Sequence, residues 1–247
     1  MKPYNKEYIK DVIKEYTDKI EAAKIGNSEV KKLSGIQEKS IKGYMYEIEG
    51  SINVDILELQ INNKSCMKLT PLEIESSYMP IKMAKGKVGI VGLGLGYVAN
   101  EIAKKKEVKE VIVYETNQDV IDLYENSFEK NKKIKILCED AFKAKSDKFD
   151  FFYVDIYEYK LSKRVVEDYR ILNDIHKIKE YSFWGMEHFL LSCKYEEIVW
   201  VYIPENWMCM SRKLAEKLDE SGYIKYYKPL DEKLVSEVLA DFKVVLE

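Results

Sequence analysis

Apolar side chains recur at helical spacing near the start of the chain. Tyr8, Ile9, Val12, Ile13, Tyr16 and Ile20 would share one face, with lysine and glutamate behind, so a helix is predicted from Tyr4 to about Ile25 and stopped by Gly26-Asn27. A short polar or helical piece follows toward Lys42. The period then falls to two: "YMYEIEG" and "VDILELQI" alternate as half-buried strands do, "INNKS" signals a turn, and "CMKLT" returns antiparallel. Tyr44 to Leu69 therefore reads as a small β element. Thr70 with Glu73 three residues on has the form of a capping box, and Pro71 suits the first helical position. That helix should close near Pro80 or shortly beyond.

From Gly86 the pattern is strand, helix, strand, helix. "KVGIV" and "EVIVYE" are short apolar runs. "YVANEIAKKK" puts Val98, Ala99, Ile102 and Ala103 on one face, and "DVIDLYENSF" is amphipathic. "IKILCED" and "FDFFYVD" are two more strands. Repeated βα units with continuous apolar strands imply an α/β fold with a parallel sheet covered on both faces. Beyond Asp155, "VVEDYRILNDI" reads as helix and "EEIVWVYI" as strand. "YSFWGMEHFLLSC" fits a strand entering a helix, or helix throughout. "NWMCMSRKLAEKLDESG" reads as helix with a glycine stop, "LDEKLVSEVLADF" as a final helix, and "KVVLE" as a terminal strand. The expected division is an N-terminal unit over 1–80 and a ligand-binding domain over 81–247.

Composition narrows the function. The chain has 247 residues, 46% of them apolar, enough for a sizeable core. A net charge of −3 argues against a broad nucleic-acid footprint. No apolar leader or run of about 18 apolar residues is present, so a cytoplasmic protein without membrane contact is expected. Cys66, Cys138, Cys193 and Cys209 form no CxxC, and His176 and His188 have no ligand spacing with them. Reduced, mostly buried thiols and no metal are expected.

Five of the eleven glycines lie in "GKVGIVGLGLG", residues 86–96. Gly92, Gly94 and Gly96 fall between a strand and a helix, where unpaired backbone N–H groups and a side-chain-free loop let a ligand sit on bare main chain. The spacing is GxGxG rather than the dinucleotide GxGxxG, whose third glycine would be Tyr97. Glu115, at the end of the second strand, can accept hydrogen bonds from both hydroxyls of a ribose. Asp140 ends the third strand, where its alternative is a helix N-cap, and Asp155 ends the fourth, where it could equally cap the segment that follows.

"VGIVGLGLGYVANEIAKK", "VIVYETNQDVIDLY", "ILCEDAF" and "KFDFFYVDIYEY" resemble, in order, the motifs of class I S-adenosylmethionine (SAM)-dependent methyltransferases. The resemblance covers about residues 86–160. It implies a Rossmann-like fold with a mostly parallel seven-stranded sheet, a small N-terminal helical and β extension, and SAM across the strand ends. On it, Gly92, Gly94, Gly96 and Glu115 hold SAM, Asp140 and Ala141 meet the adenine edge with Phe142 as an apolar wall, and Asp155 stands at the reaction centre. The layout before the glycine loop, "DILELQINNKSCMKLTPLEIESSYMPI", is similar to spermidine-synthase-like proteins. This chain departs from them at Leu95, where they carry an aspartate for the donor's amine, in the helix before the loop, which keeps only scattered acids and Tyr78, and at "DIYEY", which lacks their small residues.

The resemblance implies methyl transfer to a small-molecule acceptor, with Asp155 as base or orienter and Tyr157 and Glu158 next in line. "DIYE" lacks the proline run of base amino-methylating enzymes, and Asn173-Asp174 does not form the metal site of cation-dependent O-methyltransferases. Tyr181, Trp184 and Trp207 could line the acceptor pocket, with plain core packing the favoured alternative. A SAM or nucleoside binder without transferase activity, an aminopropyltransferase relative and a nicotinamide-dependent dehydrogenase are the competing readings. The spacing of the glycines weighs against the last. The N-terminal β element offers an edge through which a homodimer could form.

Overall fold

The computed structural model describes residues 5–34, 54–157, 163–182, 187–201, 205–225 and 227–246. Helix α1 (Lys6–Lys19) is capped by Asn5, whose Oδ1 accepts from the Tyr8 N–H at 3.0 Å, and buries Ile9, Val12, Ile13 and Tyr16. Each such side chain contributes about 1.5–3 kcal/mol relative to leaving it in water. The helix ends before Gly26-Asn27. That pair turns a hairpin between β1 (Ala23–Ile25) and β2 (Ser28–Leu33), where helix and then a polar or helical piece were expected. Gly26 has φ +49°, and the Asn27 N–H donates to Asp119 at 2.9 Å, so the turn is tied to the larger domain. Strands β3 (Ile56–Ile61) and β4 (Lys64–Lys68) complete an antiparallel sheet of order β1-β2-β3-β4, as "VDILELQI" and "CMKLT" suggested. "YMYEIEG" lies outside the described residues.

The helix after Thr70 is split into α2 (Pro71–Ser76) and α3 (Tyr78–Met83). Pro80 has no N–H to give the Ser76 carbonyl, which accounts for the break. The capping box does not form: the Thr70 side chain makes no cap bond, and Glu73 Oε1 instead accepts from the Ser77 hydroxyl at 3.3 Å.

The second sheet is parallel and five-stranded. Its strands are β5 (Gly86–Val91), β6 (Val108–Glu115), β7 (Ile134–Cys138), β8 (Lys148–Val154) and β9 (Lys177–Ser182), in the order β7-β6-β5-β8-β9. Helix α4 (Tyr97–Lys104) joins β5 to β6 and α5 (Gln118–Ser127) joins β6 to β7. The chain is thus α/β and Rossmann-like. Alternate side chains of β6 and β8 go to opposite faces, and both faces are buried. Val111, Val113, Phe151 and Tyr153 join one core cluster with α1, α4 and α5, while Ile112, Tyr114, Phe152 and Val154 join another with Val165, Leu172 and Leu218. Val165 and Leu172 lie on α6 (Lys163–Ile175).

No helix connects β7 to β8. Residues 139–147 cross with only a turn, over Tyr114, Phe149, Phe152 and His176, whose ring centroids lie 5.0–6.4 Å apart.

Strand β9 leads toward α7 (Glu187–Ser192), the first of the two options for "YSFWGMEHFLLSC". "EEIVWVYI" is not a strand: it supplies α8 (Tyr195–Trp200), capped by Glu197 Oε2 accepting from the Lys194 N–H at 3.0 Å. Helix α9 (Glu205–Ser221) stops at Gly222, φ +75°. Helix α10 (Glu232–Leu246) runs on through the expected terminal strand, burying Val235, Val238, Leu239 and Phe242. With both expected strands helical, the described residues give five parallel strands and not the seven of the resemblance. All four cysteines are free, but Cys66 and Cys138 are exposed rather than buried. No helix of the described residues is long and apolar enough to cross a membrane.

Candidate functional site

The strand order reverses around β5, which leaves a crevice beside its carboxyl end. Gly92, Glu115 and Asp155 all stand there, at or just past the ends of β5, β6 and β8. Glu115 accepts the Leu93 N–H on Oε2 at 3.0 Å and the Asn117 N–H on Oε1 at 2.9 Å. The carboxylate thereby shapes the glycine loop as well as facing the crevice. Asp155 donates its N–H to the Val91 carbonyl at 2.9 Å, and a Cβ at Gly92 would lie 2.8 Å from the Asp155 carbonyl oxygen. Gly92 therefore allows two strand ends to touch.

The other loop glycines are contacted by the protein itself. A Cβ at Gly94 would lie 2.5 Å from Met67 Sδ, and one at Gly96 would lie 2.3 Å from the Tyr124 ring. Their φ angles are +53° and +78°, so both space and backbone conformation exclude a side chain. Leu93 and Leu95, between the glycines, are 6% and 4% exposed and anchor the loop in the core shared with the N-terminal unit.

Asp155 is exposed as a residue, yet the protein packed around its carboxyl group pushes the pKa up to about 6. The Tyr153 hydroxyl, donating at 3.3 Å, works against that displacement, and the net direction is upward. Although Cys66 is exposed as a residue, the protein around its thiol raises the pKa, with further upward contributions from the Glu115 and Asp155 charges.

Asp140 and Ala141 lie past β7, on the far side of Glu115. Asp140 Oδ1 accepts the Phe142 N–H at 3.0 Å and Oδ2 lies 3.4 Å from Lys143 Nζ, so it caps a turn, and the helix whose N-cap was its alternative reading is not formed. Ala141 is 1% exposed, and its carbonyl is 3.1 Å from His176 Nε2. Phe142 is half-buried against the same aromatic cluster. Tyr157 donates to Asp168 at 2.9 Å. Tyr181 is core, parallel to Phe152 and edge-on to Tyr169. Glu158, Trp184 and the Trp207 side chain lie outside the described residues.

Three contributors were not singled out from the sequence: Cys66, Met67 and His176. The first two belong to β4, read as a regular strand. In the structure, Leu59 pairs with Met67 and Gln60 with Ser65, which leaves Cys66 as a bulge. Nothing in "CMKLT" signals that extra residue. Among the described residues no group of three or more His, Cys, Asp and Glu side chains could hold a metal ion.

No protein-family model matches the chain, and no curated protein does. Among solved structures it is similar to a spermidine synthase in complex with the transition-state analogue AdoDATO, at 14% identity and TM-score 0.39, over 64% of this chain and 52% of that one. It is similar also to spermidine synthase from Thermotoga maritima, at 13% identity and TM-score 0.39, over 64% and 53%. The chain thus spans about half the length of these neighbours. Likeness at this level assigns no ligand and no activity; the fold rests on the chain's own strand order.

Proposed function

We propose that the chain is a SAM-dependent methyltransferase acting on a small-molecule acceptor. The observation that carries this reading is the meeting of Gly92, Glu115 and Asp155 at the ends of three adjacent parallel strands, where the strand order reverses. The residues present fit an adenosyl ligand. A carboxylate offers about four lone-pair positions, and Glu115 uses two, leaving one on each oxygen for a ribose diol.

Bound SAM supplies a methyl group already activated by a positive sulfur, so the protein's task is chiefly placement. Glu115 would hold the sugar through its free acceptor positions, and the Asp140–Ala141 turn would border the base. Asp155 orients the acceptor and takes its proton where one must leave. With its pKa raised toward 6 it is a stronger base than an ordinary carboxylate and is still ionised at neutral pH.

Calorimetric titration with SAM and S-adenosylhomocysteine tests the reading. Glu115→Gln keeps the shape but not the paired acceptors, and should weaken both ligands by about tenfold or more. Binding of NAD with no binding of either adenosyl ligand would overturn it. One observation favours a second reading, a nucleoside binder without transferase activity: the chain's own Met67 rests on the glycine loop. Turnover against an acceptor panel separates the two.

A further inference from the structure

The N–H groups of the glycine loop are nearly all engaged. Gly92 donates to the Tyr114 carbonyl, Leu93 to Glu115 and Gly96 to the Leu93 carbonyl. The Leu95 N–H donates to Met67 Sδ at 3.3 Å. A thioether is the weakest acceptor of this set. It also fills the space that a Cβ at Gly94 would take. Met67 reaches this position from β4 directly after the Cys66 bulge, a device that re-aims side chains beside functional sites.

We propose that Met67 is a displaceable plug at the end of the crevice away from Asp140 and Ala141, and that it sets which ligands enter by competing with whatever extends beyond the ribose. This inference rests on the adenosyl reading above. The base and sugar would lie toward Asp140, Ala141 and Glu115, clear of the plug, whereas a sulfur and its aminoacyl tail would need the space over Gly94. Cys66, beside the plug and exposed, moves with it and reports its position.

The test uses the full chain and two variants. Met67→Ala empties the space. Met67→Leu keeps the bulk, so it also controls for folding, but it removes the sulfur acceptor. Met67→Ala should bind S-adenosylhomocysteine about tenfold more tightly than wild type, the size expected for removing one weak competing contact, with adenosine affinity unchanged. Saturating S-adenosylhomocysteine should change the rate at which iodoacetamide alkylates Cys66 in wild type, and adenosine should not. Weaker or equal S-adenosylhomocysteine binding by Met67→Ala overturns the plug. If no variant binds any adenosyl ligand, the adenosyl reading falls, and amide exchange at Leu95 then decides the plug. Faster exchange in both variants than in wild type upholds it, and equal exchange overturns it.

Discussion

A methyl group added at Gly96 would meet the Tyr124 ring at 2.3 Å, whereas one added at Gly222 would meet nothing within 4 Å, although both residues have φ near +75°. The pair separates backbone strain from steric conflict. Gly222→Ala should lower stability in urea titration by about 1–2 kcal/mol, the left-handed penalty alone. Gly96→Ala should add an overpacking loss of about 1–3 kcal/mol to that penalty. For the same reasons Gly94→Val is not a clean probe of ligand binding, since it strains the loop and drives into Met67. Asp155 gives a prediction in pH. Its folded pKa is raised toward 6, above the ordinary carboxylate value, so its ionisation opposes folding: the stability it contributes is present below about pH 4 and lost as pH rises through about 6. Asp155→Asn should therefore melt higher than wild type at pH 8, with the gap closing by about pH 4. Transfer activity should run the other way, falling in wild type as pH drops through about 6. Of the site, Gly92, Glu115 and Asp155 were legible because each ends an apolar run. Met67 was not, because a contact across 28 positions in the chain leaves no local signature.

Elements with strong periodicity were readable, and those whose chemistry favours another state were not. The short run "EVIVYE", between two helical periods, is a strand buried on both faces, as its continuous apolar pattern predicts. "EEIVWVYI" has the β-branched and aromatic content of a strand, yet α8 buries Ile198 and the following Val201 while Tyr195, Val199 and Trp200 face outward, a three-residue period hidden by the bulk of the exposed side chains. In α10, Phe242 follows Val235, Val238 and Leu239 at helical spacing, so the burial stripe carries the helix past "DF" into "KVVLE". At this scale the bond from the Asn27 N–H to Asp119 joins the first hairpin to α5. Asp119→Ala should lower stability by about 1 kcal/mol and speed amide exchange at Asn27 more than at Ile9 or Ile13 in α1. Exchange that is unchanged at Asn27 would show that the hairpin is held by its apolar contacts alone.

At the scale of the molecule, one core cluster runs from Ile9 and Leu57 in the N-terminal unit through Leu93, Leu95 and Tyr97 to the strands of the parallel sheet. Tyr16 and Tyr97 meet edge-on at 5.4 Å across that junction. The change from the antiparallel to the parallel sheet after α3 falls within this cluster. Leu57 is fully buried in the small sheet, and Leu57→Ala should lower the stability of the whole chain by about 2–5 kcal/mol. Unfolding should remain a single transition by far-ultraviolet circular dichroism and by tryptophan fluorescence, and two separated transitions would refute the shared core. The order of the parallel strands was beyond reach from the sequence alone, since pairing such as Val88 with Phe151 is set by long-range packing rather than by any neighbouring residue.

The bare crossing between β7 and β8 has a consequence for how such a protein can change over generations. Ala141, beside Asp140 in that crossing, belongs to the ceiling of the aromatic stack, with His176 fastened to its carbonyl. Any larger side chain at Ala141 presses on the rings beneath, so under the proposed adenosyl reading selection for a new ligand and selection for a foldable chain would act on the same few atoms. New specificities should accumulate instead on the solvent-facing hairpin of β3 and β4, where a changed side chain has room to be tolerated.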